Sequence, residues 1–305
     1  MMAWSMTAFV FPPPLRAGDR VAVVAPSSPS PRPELARGMA WLRDRYTMVA
    51  RQTLLERTGF LAGEDAARAL SLAEAMTAPG VKAIICARGG YGAMRILDEL
   101  PWAELAKSPR WIVGFSDVTA LHAMAMAHGV ASIHAPNVTG LASGDVWTRA
   151  CYLRALERPL APVEWSGLTV VRSGRAEGPL VGGNLALVEA MAAAGRWHPP
   201  AGAILALEDV TERAYRLDRM LTSLRLGGYL RRVAGIVFGE FVRCEAGPDG
   251  VTAAEVLAER TVDLGVPVVG GAPFGHGARN DAFVLGSVAR IDGSSLVVRP
   301  TNGVS

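Results

Sequence analysis

Short apolar runs alternate with helix-prone segments along the first half of the chain, and this alternation narrows the possible folds more than any other feature. A β-branched run begins at Arg20 ("RVAVV"), a second occupies 81–87 ("VKAIICA"), and a third covers Trp111 to Gly114. Strands that are buried on both faces read as continuous apolar runs, and a helix between consecutive strands makes them parallel. The pattern therefore predicts an α/β fold, with a parallel sheet covered by helices on both faces.

The second half of the sequence predicts a further, smaller α/β domain. Strands are predicted over "AILALEDV" and "AGIVFGEF", a turn and helix over "GPLVGGNLALVEAMAAAG", helices over 212–226 and 253–264, and a hairpin turning at Asp292 and Gly293. The length of 305 residues is about twice that of a common domain. Because the pattern weakens between 140 and 165, we predict domains at 1–145 and 176–305, with a linker at 146–175 and a loose leader over 1–17.

Composition excludes several classes of protein. The chain is 50% hydrophobic and 19% charged, with a net charge of +3 and arginines that are scattered rather than clustered, so we expect no nucleic acid partner. Three prolines, Pro12 to Pro14, interrupt the apolar start, and no later run is long enough to cross a bilayer; we expect a cytoplasmic protein without a membrane contact. The three cysteines and five histidines lack metal-ligand spacing, so no metal site is predicted.

Two segments at predicted strand ends carry candidate chemistry. Ser116 in "GFSD" lies between a strand and a helix, where a serine acts either as a helix cap or as a nucleophile beside free helical N–H groups. The glycines of "RGGYGA", among them Gly89 and Gly90, suit an N–H donor that faces a substrate carbonyl. They equally suit a tight turn or a phosphate-binding loop, and these interpretations stay open at this point.

A serine nucleophile needs a base and an acid that orients the base. His276, in the glycine-rich loop "GGAPFGHGARND", is the best candidate for the base, and His134 at a strand end is a weaker one. The strand "AILALEDV" ends in two carboxylates that must point to opposite faces. Glu208 is deeper in the strand and is the favoured acid, whereas Asp209 equally suits the N-terminus of the helix that follows.

In combination, the segments "ARGGYGA", "GFSDVTALH", "GGNLALV", "LALEDVTERAYRLDRML" and "PFGHG" resemble the LD-carboxypeptidase family of serine peptidases, which includes the microcin C self-immunity proteins. The resemblance runs from about Gly18 to the C-terminus and keeps the order of the motifs. It implies a flavodoxin-like N-terminal domain that carries the serine, and a swivelling-type β/α C-terminal domain that supplies the acid and the base.

The resemblance also implies roles for individual residues. The catalytic triad would be Ser116, Glu208 and His276, and the oxyanion hole would be formed by the backbone N–H groups of Gly90 and Asp117. Substrate-binding residues would be Gly89, Tyr91 and Arg88, with Arg88 or Arg279 reading the terminal carboxylate. The resemblance implies no metal and no organic cofactor. It implies that the protein forms a homodimer.

The implied reaction is hydrolysis of the LD peptide bond to a terminal D-alanine in a cytoplasmic murein tetrapeptide, a small peptide partner. Two alternatives remain. A microcin C-type immunity amidase would cleave a conjugate of a peptide and a nucleotide. A non-catalytic protein would use the glycine loop and helix N-termini to hold a nucleotide or flavin, which explains "RGGYGA" but leaves His276 without a role.

Overall fold

A computed structural model describes residues 9–50 and 52–300, which form two compact units. Of the described residues, the N-terminal unit contains those from 9 to 161 together with Asp281–Val284, and the C-terminal unit contains Pro162–Asn280 and those from 285 to 300. Each unit combines a sheet with helices, which confirms the predicted two-domain α/β fold.

The N-terminal unit is built on a six-stranded sheet. Its elements in chain order are β1 (Arg20–Val24), α1 (Arg32–Arg43), β2 (Thr47–Ala50), α2 (Asp65–Thr77), β3 (Val81–Cys86), α3 (Trp102–Lys107), β4 (Trp111–Gly114), α4 (Thr119–Ala127), β5 (Ser132–His134), α5 (Val138–Leu141) and α6 (Val146–Glu157). The strand order β2-β1-β3-β4-β5, with all neighbours parallel, is that of flavodoxin-like sheets. In such sheets, ligand sites form beyond the carboxyl ends of the strands.

The segment at 9–17 packs against this sheet, so its interpretation as a loose leader is wrong there. Leu15 is 2% exposed, Val10 forms a parallel bridge with Val130, and Trp111 Nε1 donates to the carbonyl of Pro13 at 3.0 Å. The apolar side chains of this segment pack into the core of the unit: Leu15 belongs to the same buried cluster as Trp111 of β4, and Phe9 and Phe11 pack against that cluster. Residues 1–8 of the predicted leader lie outside the described residues.

The C-terminal unit is built on an eight-stranded mixed sheet. Its elements are β6 (Val163–Trp165), β7 (Thr169–Arg172), β8 (Arg175–Asn184), α7 (Leu185–Ala193), β9 (Ala203–Val210), α8 (Ala214–Leu226), β10 (Val233–Val242), α9 (Ala253–Glu259), β11 (Val268–Gly270), β13 (Val288–Asp292) and β14 (Ser295–Arg299). The strand order is β6-β14-β13-β8-β9-β10-β11-β7, in which β8 to β11 are parallel and β13 and β14 form the predicted hairpin. Between β11 and β13 the chain contributes β12 (Phe283–Leu285) to the edge of the N-terminal sheet.

Two stretches differ from the sequence prediction. The "GPLVGGN" predicted as a turn is the end of the ten-residue strand β8, where a Cβ on Gly182 would lie 2.0 Å from the carbonyl oxygen of Ala206. Glycine is needed there because the backbones of β8 and β9 approach closely. The glycines take the place of the side chains by which a strand is recognised in the sequence. The stretch 146–175, predicted as a linker, carries α6, β6 and β7.

No helix in the described part of the chain has the length and apolarity to cross a membrane. The three cysteines are buried and form no disulfide bond.

Candidate active site

Ser116 lies on a tight turn between β4 and α4. The turn is a 3-10 helix, Ser116–Val118, and Ser116 has a φ of 65°. A left-handed conformation strains a residue that has a Cβ, by about 1–2 kcal/mol. Within the described chain no side-chain hydrogen bond caps this turn or α4, so Ser116 begins a helix without acting as its cap. A strained serine between a strand and a helix presents its hydroxyl at the sheet edge, as nucleophiles of α/β hydrolases do.

Two buried side chains hold the strand end in front of Ser116. The Asn137 side chain accepts from the Phe115 N–H at 3.3 Å and donates to the Phe115 carbonyl at 3.4 Å. His122 Nε2 lies 2.9 Å from the Gly114 carbonyl oxygen. Burial lowers the pKa of His122 to about 4, so the ring is neutral at pH 7 and its Nε2–H donates to Gly114.

The glycine loop lies directly against the serine. A Cβ on Gly89 would be 2.9 Å from the Cβ of Ser116 and 3.0 Å from its Oγ. Gly90 is exposed and has a φ of 105°, a backbone conformation that strains any residue with a Cβ. The loop therefore places the buried Gly89 against the Ser116 hydroxyl, and the exposed Gly90 follows it directly.

The two other predicted substrate-binding residues lie at the surface of this loop. The Tyr91 side chain is exposed and packs edge-to-face on Phe60, with 5.6 Å between the ring centroids. Phe60 is exposed as well, and its position was not predicted, because the two lie far apart in the sequence with no motif that links them. The Arg88 side chain is exposed and donates to the carbonyl of Pro29 at 2.6 Å.

Asp117 joins the glycine loop to the serine turn. Its carboxylate is 1% exposed and accepts from the N–H of Ala93, just past the loop, at 2.8 Å. Burial raises the pKa of Asp117, and its hydrogen bond with the Ala93 N–H opposes the rise. The buried guanidinium of Arg68 binds the Gly92 carbonyl at 3.0 Å. These contacts fix the loop relative to the serine.

The predicted acid and base form a hydrogen-bonded pair within the C-terminal unit. Glu208 Oε2 lies 2.6 Å from His276 Nδ1, with the glutamate side chain 0% and the histidine side chain 19% exposed. A carboxylate only accepts, so the imidazole carries its hydrogen on Nδ1 and the lone pair of the neutral ring is on Nε2. A Cβ on Gly275 would lie 2.8 Å from Glu208 Oε2, which explains the glycine before His276.

Asp209 points to the opposite face of β9, as the strand period predicts. It accepts from Asn184 Nδ2 at 2.9 Å and from the N–H groups of Val210 at 2.8 Å and Ala186 at 3.0 Å. Burial raises its pKa to about 6. Asp209 therefore binds a helix N-terminus, but that of α7 rather than that of the helix after β9, because it faces the end of the neighbouring strand β8.

His134 and Arg279 are the remaining sequence candidates. His134 is fully buried and stacks on Phe283, with 4.8 Å between the ring centroids. Glu240 lies against the histidine loop: a Cβ on Gly277 would overlap its carboxylate, and Arg279 opposes the rise that burial causes in the pKa of Glu240. Across residues 9–50 and 52–300, no group of three or more His, Cys, Asp or Glu side chains is arranged to hold a metal ion.

Two family models match the chain, one in each half. The LD-carboxypeptidase N-terminal domain matches residues 21–135, and the LD-carboxypeptidase C-terminal domain matches residues 177–291. The chain belongs to the LD-carboxypeptidase family. It is therefore an enzyme of a serine hydrolase family.

Individual relatives agree with this membership. A putative carboxypeptidase of Synechocystis is 40% identical over 94% of this chain and 96% of its own length. The murein tetrapeptide carboxypeptidase of Pseudomonas aeruginosa is 36% identical over 79% of this chain and 82% of its own length. In three dimensions, the muramoyltetrapeptide carboxypeptidase of Oxalobacter formigenes aligns with a TM-score of 0.83 at 30% identity, covering 92% of this chain and 100% of that one.

Proposed function

We propose that this LD-carboxypeptidase hydrolyses the bond between the L-centre of a diamino acid and a terminal D-alanine in murein tetrapeptides, using Ser116, Glu208 and His276 as a triad. The observation that carries the proposal is the 2.6 Å bond between Glu208 and His276 Nδ1, because a hydrogen held on Nδ1 makes Nε2 the basic nitrogen of the neutral ring. The strained turn at Ser116 supports the serine as nucleophile. Two relatives named for murein or muramoyl tetrapeptides support the substrate.

The first half of the reaction acylates the serine. Ser116 Oγ attacks the scissile carbonyl carbon, and His276 Nε2 takes the hydroxyl proton. Glu208 holds the ring in the correct tautomer and stabilises the imidazolium. The tetrahedral oxyanion receives hydrogen bonds from the N–H groups of Gly90 and Asp117. The C–N bond then breaks, His276 protonates the leaving nitrogen, and D-alanine departs.

The second half restores the enzyme. A water molecule attacks the acyl carbon while His276 Nε2 takes its proton, and the bond to Ser116 Oγ breaks as that oxygen regains a proton. The murein tripeptide leaves with a new carboxylate. No step in this sequence uses a metal or an organic cofactor.

Binding of the peptide is assigned to the glycine loop. We propose that the Gly89 backbone, the exposed Tyr91 ring and the Arg88 guanidinium contact the substrate. Arg88 is suited to the terminal carboxylate because its fork-shaped donor set matches two carboxylate oxygens. Its bond to the Pro29 carbonyl uses only part of that donor set.

The proposal is tested by incubating purified protein with the murein tetrapeptide in the presence of EDTA and measuring D-alanine by mass spectrometry. Release by the wild type and none by Ser116→Ala is expected. Equal release by both proteins would remove Ser116 as the nucleophile.

The same assay separates the alternative substrates. Release of the modified nucleotide from a peptide–nucleotide conjugate, by hydrolysis of the amide that joins it to the peptide end, without D-alanine release from the tetrapeptide, would assign the chain to the microcin C-type immunity reaction. Calorimetry with flavins and nucleotides tests the binding-protein alternative. We expect it to detect no binding of either ligand.

A further inference from the structure

Ser28 occupies the loop after β1 and contacts the glycine loop through both its backbone and its side chain. Its N–H donates to the Gly89 carbonyl at 3.2 Å. Its hydroxyl oxygen accepts from the Tyr91 N–H at 3.1 Å. A Cβ on Gly90 would lie 2.4 Å from this hydroxyl oxygen, so Ser28 packs directly on the glycine between the two bonds.

The first bond sets the direction of the Gly90 N–H. No cis peptide bond occurs among the described residues, and in a trans peptide the carbonyl and the following N–H point in opposite directions. Because the Gly89 carbonyl points towards Ser28, the Gly90 N–H points away from Ser28. The Cβ direction of Gly89 faces Ser116, which places the serine beside this peptide unit.

The second bond holds the next peptide unit. Gly90 can occupy many backbone conformations, including its φ of 105°, so its neighbours determine its orientation. With the Gly89 carbonyl and the Tyr91 N–H both bound to Ser28, the peptide units on either side of Gly90 are each fixed by one hydrogen bond. Such pre-orientation is what an oxyanion donor requires, because the donor must point at the developing charge before the charge appears.

We propose that Ser28 is a positioning residue of the oxyanion hole, whose hydroxyl and backbone N–H together aim the Gly90 N–H. The inference rests on the proposed function, which assigns Gly90 as a donor. It adds a residue in "APSSPSP" that the sequence analysis connected with no role.

A substrate-independent test uses a fluorophosphonate probe. Ser116 Oγ attacks phosphorus, the P–O bond forms, the P–F bond breaks with loss of fluoride, and the hydroxyl proton passes to His276. The phosphoryl oxygen gains negative charge in this step, so the labelling rate depends on the oxyanion donors. The second-order labelling rate constant is measured by intact-protein mass spectrometry for the wild type and for Ser28→Ala, Ser28→Thr and Ser30→Ala.

Ser30 provides the matched control, because its hydroxyl is in the same loop and is buried without a hydrogen-bond partner in the described structure. Ser28→Ala should label about tenfold more slowly, a fraction of the roughly 10²–10³-fold cost of losing a whole donor. Ser30→Ala should label at the wild-type rate, and Ser28→Thr should recover most of the lost rate because it keeps the hydroxyl. With the tetrapeptide, Ser28→Ala should lower kcat and leave KM nearly unchanged.

The outcomes separate this inference from the proposed function. Labelling of Ser28→Ala at the wild-type rate would overturn the role of Ser28, as would equal slowing in Ser28→Ala and Ser30→Ala. Labelling of Ser116→Ala, or no labelling of the wild type, would instead contradict Ser116 as nucleophile and remove the basis of both. If the wild type is labelled but leaves the tetrapeptide intact, the substrate is wrong, and the labelling comparison still decides the role of Ser28.

Discussion

Replacing Glu208 with glutamine tests the hydrogen-bonded pair at the centre of the proposed mechanism. If the oxygen of the new amide faced His276 Nδ1, the amide nitrogen would take the position of Glu208 Oε1, which is buried and has no partner in the described structure. If the amide nitrogen faced the ring instead, the ring would have to move its hydrogen to Nε2 and lose the base. Either arrangement weakens catalysis, and both remove the negative charge.

The magnitude follows from the charge that is lost. The imidazolium formed during acylation is stabilised by a carboxylate whose oxygen is 2.6 Å from the ring nitrogen. For charge centres about 4 Å apart, an effective dielectric constant of about 20 gives roughly 4 kcal/mol. At about 1.4 kcal/mol for each factor of ten, kcat should fall by roughly 10³-fold.

The assay compares kcat and KM for D-alanine release by the wild type, Glu208→Gln and Glu104→Gln. Glu104 pairs with Lys107 on an exposed face of α3, so its replacement removes a carboxylate without affecting the site. KM should change little for Glu208→Gln, since the carboxylate acts on the transition state. A decrease of less than about tenfold in kcat, with a folded protein, would refute the argument that Glu208 orients and stabilises His276.

Three further predictions concern the N-terminal unit and metal dependence. Burial lowers the pKa of His122 from 6.5 to about 4. Between these pH values the unfolded chain binds more protons than the folded chain. The free energy of unfolding should therefore fall by about 3 kcal/mol as the pH falls from 6.5 to 4. Urea unfolding should show this acid loss reduced in His122→Gln, and identical slopes in the two proteins would contradict the neutral buried ring. Gly89→Ala places a methyl group 3.0 Å from Ser116 Oγ and should slow fluorophosphonate labelling by about tenfold or more, whereas an unchanged rate would mean that the loop does not border the nucleophile. Prolonged dialysis against EDTA should leave kcat unchanged, and loss of activity that is restored by a divalent cation would contradict a metal-free mechanism.

The sequence predicted the elements that are marked by a local residue pattern, such as an apolar run or a turn. The runs at β1, β3 and β4 are apolar except for Arg20 and Lys82, because helices cover both faces of the sheet. The hairpin of β13 and β14 has a clear turn at Asp292 and Gly293. Glu208 and His276 lie 68 residues apart. The strand end and the glycine-rich loop favoured them separately as acid and base, and the family resemblance joined them in one triad.

Other features were not predictable because their sequence signal is weak or tertiary. The end of β8 is rich in glycine because a neighbouring backbone occupies the side-chain space, so the strand lacks the β-branched residues that mark strands. The clamp of Asn137 on Phe115 joins two strand ends through space, with no local pattern. The contact of His122 with Gly114 was only partly predictable. Six residues after Ser116, His122 lies on a different face of the helix from the serine, and helical side chains lean towards the N-terminus, where Gly114 lies.

Detection of the acyl-enzyme on Ser116 tests the covalent step of the proposed mechanism. The murein tetrapeptide is mixed with the protein, the reaction is quenched in acid on the millisecond timescale, and the digested protein is mapped by mass spectrometry. A transient murein tripeptide ester is expected on the peptide that contains Ser116, formed together with released D-alanine and absent from Ser116→Ala. Release of D-alanine without any such adduct, undiminished in Ser116→Ala, would rule out Ser116 as the nucleophile.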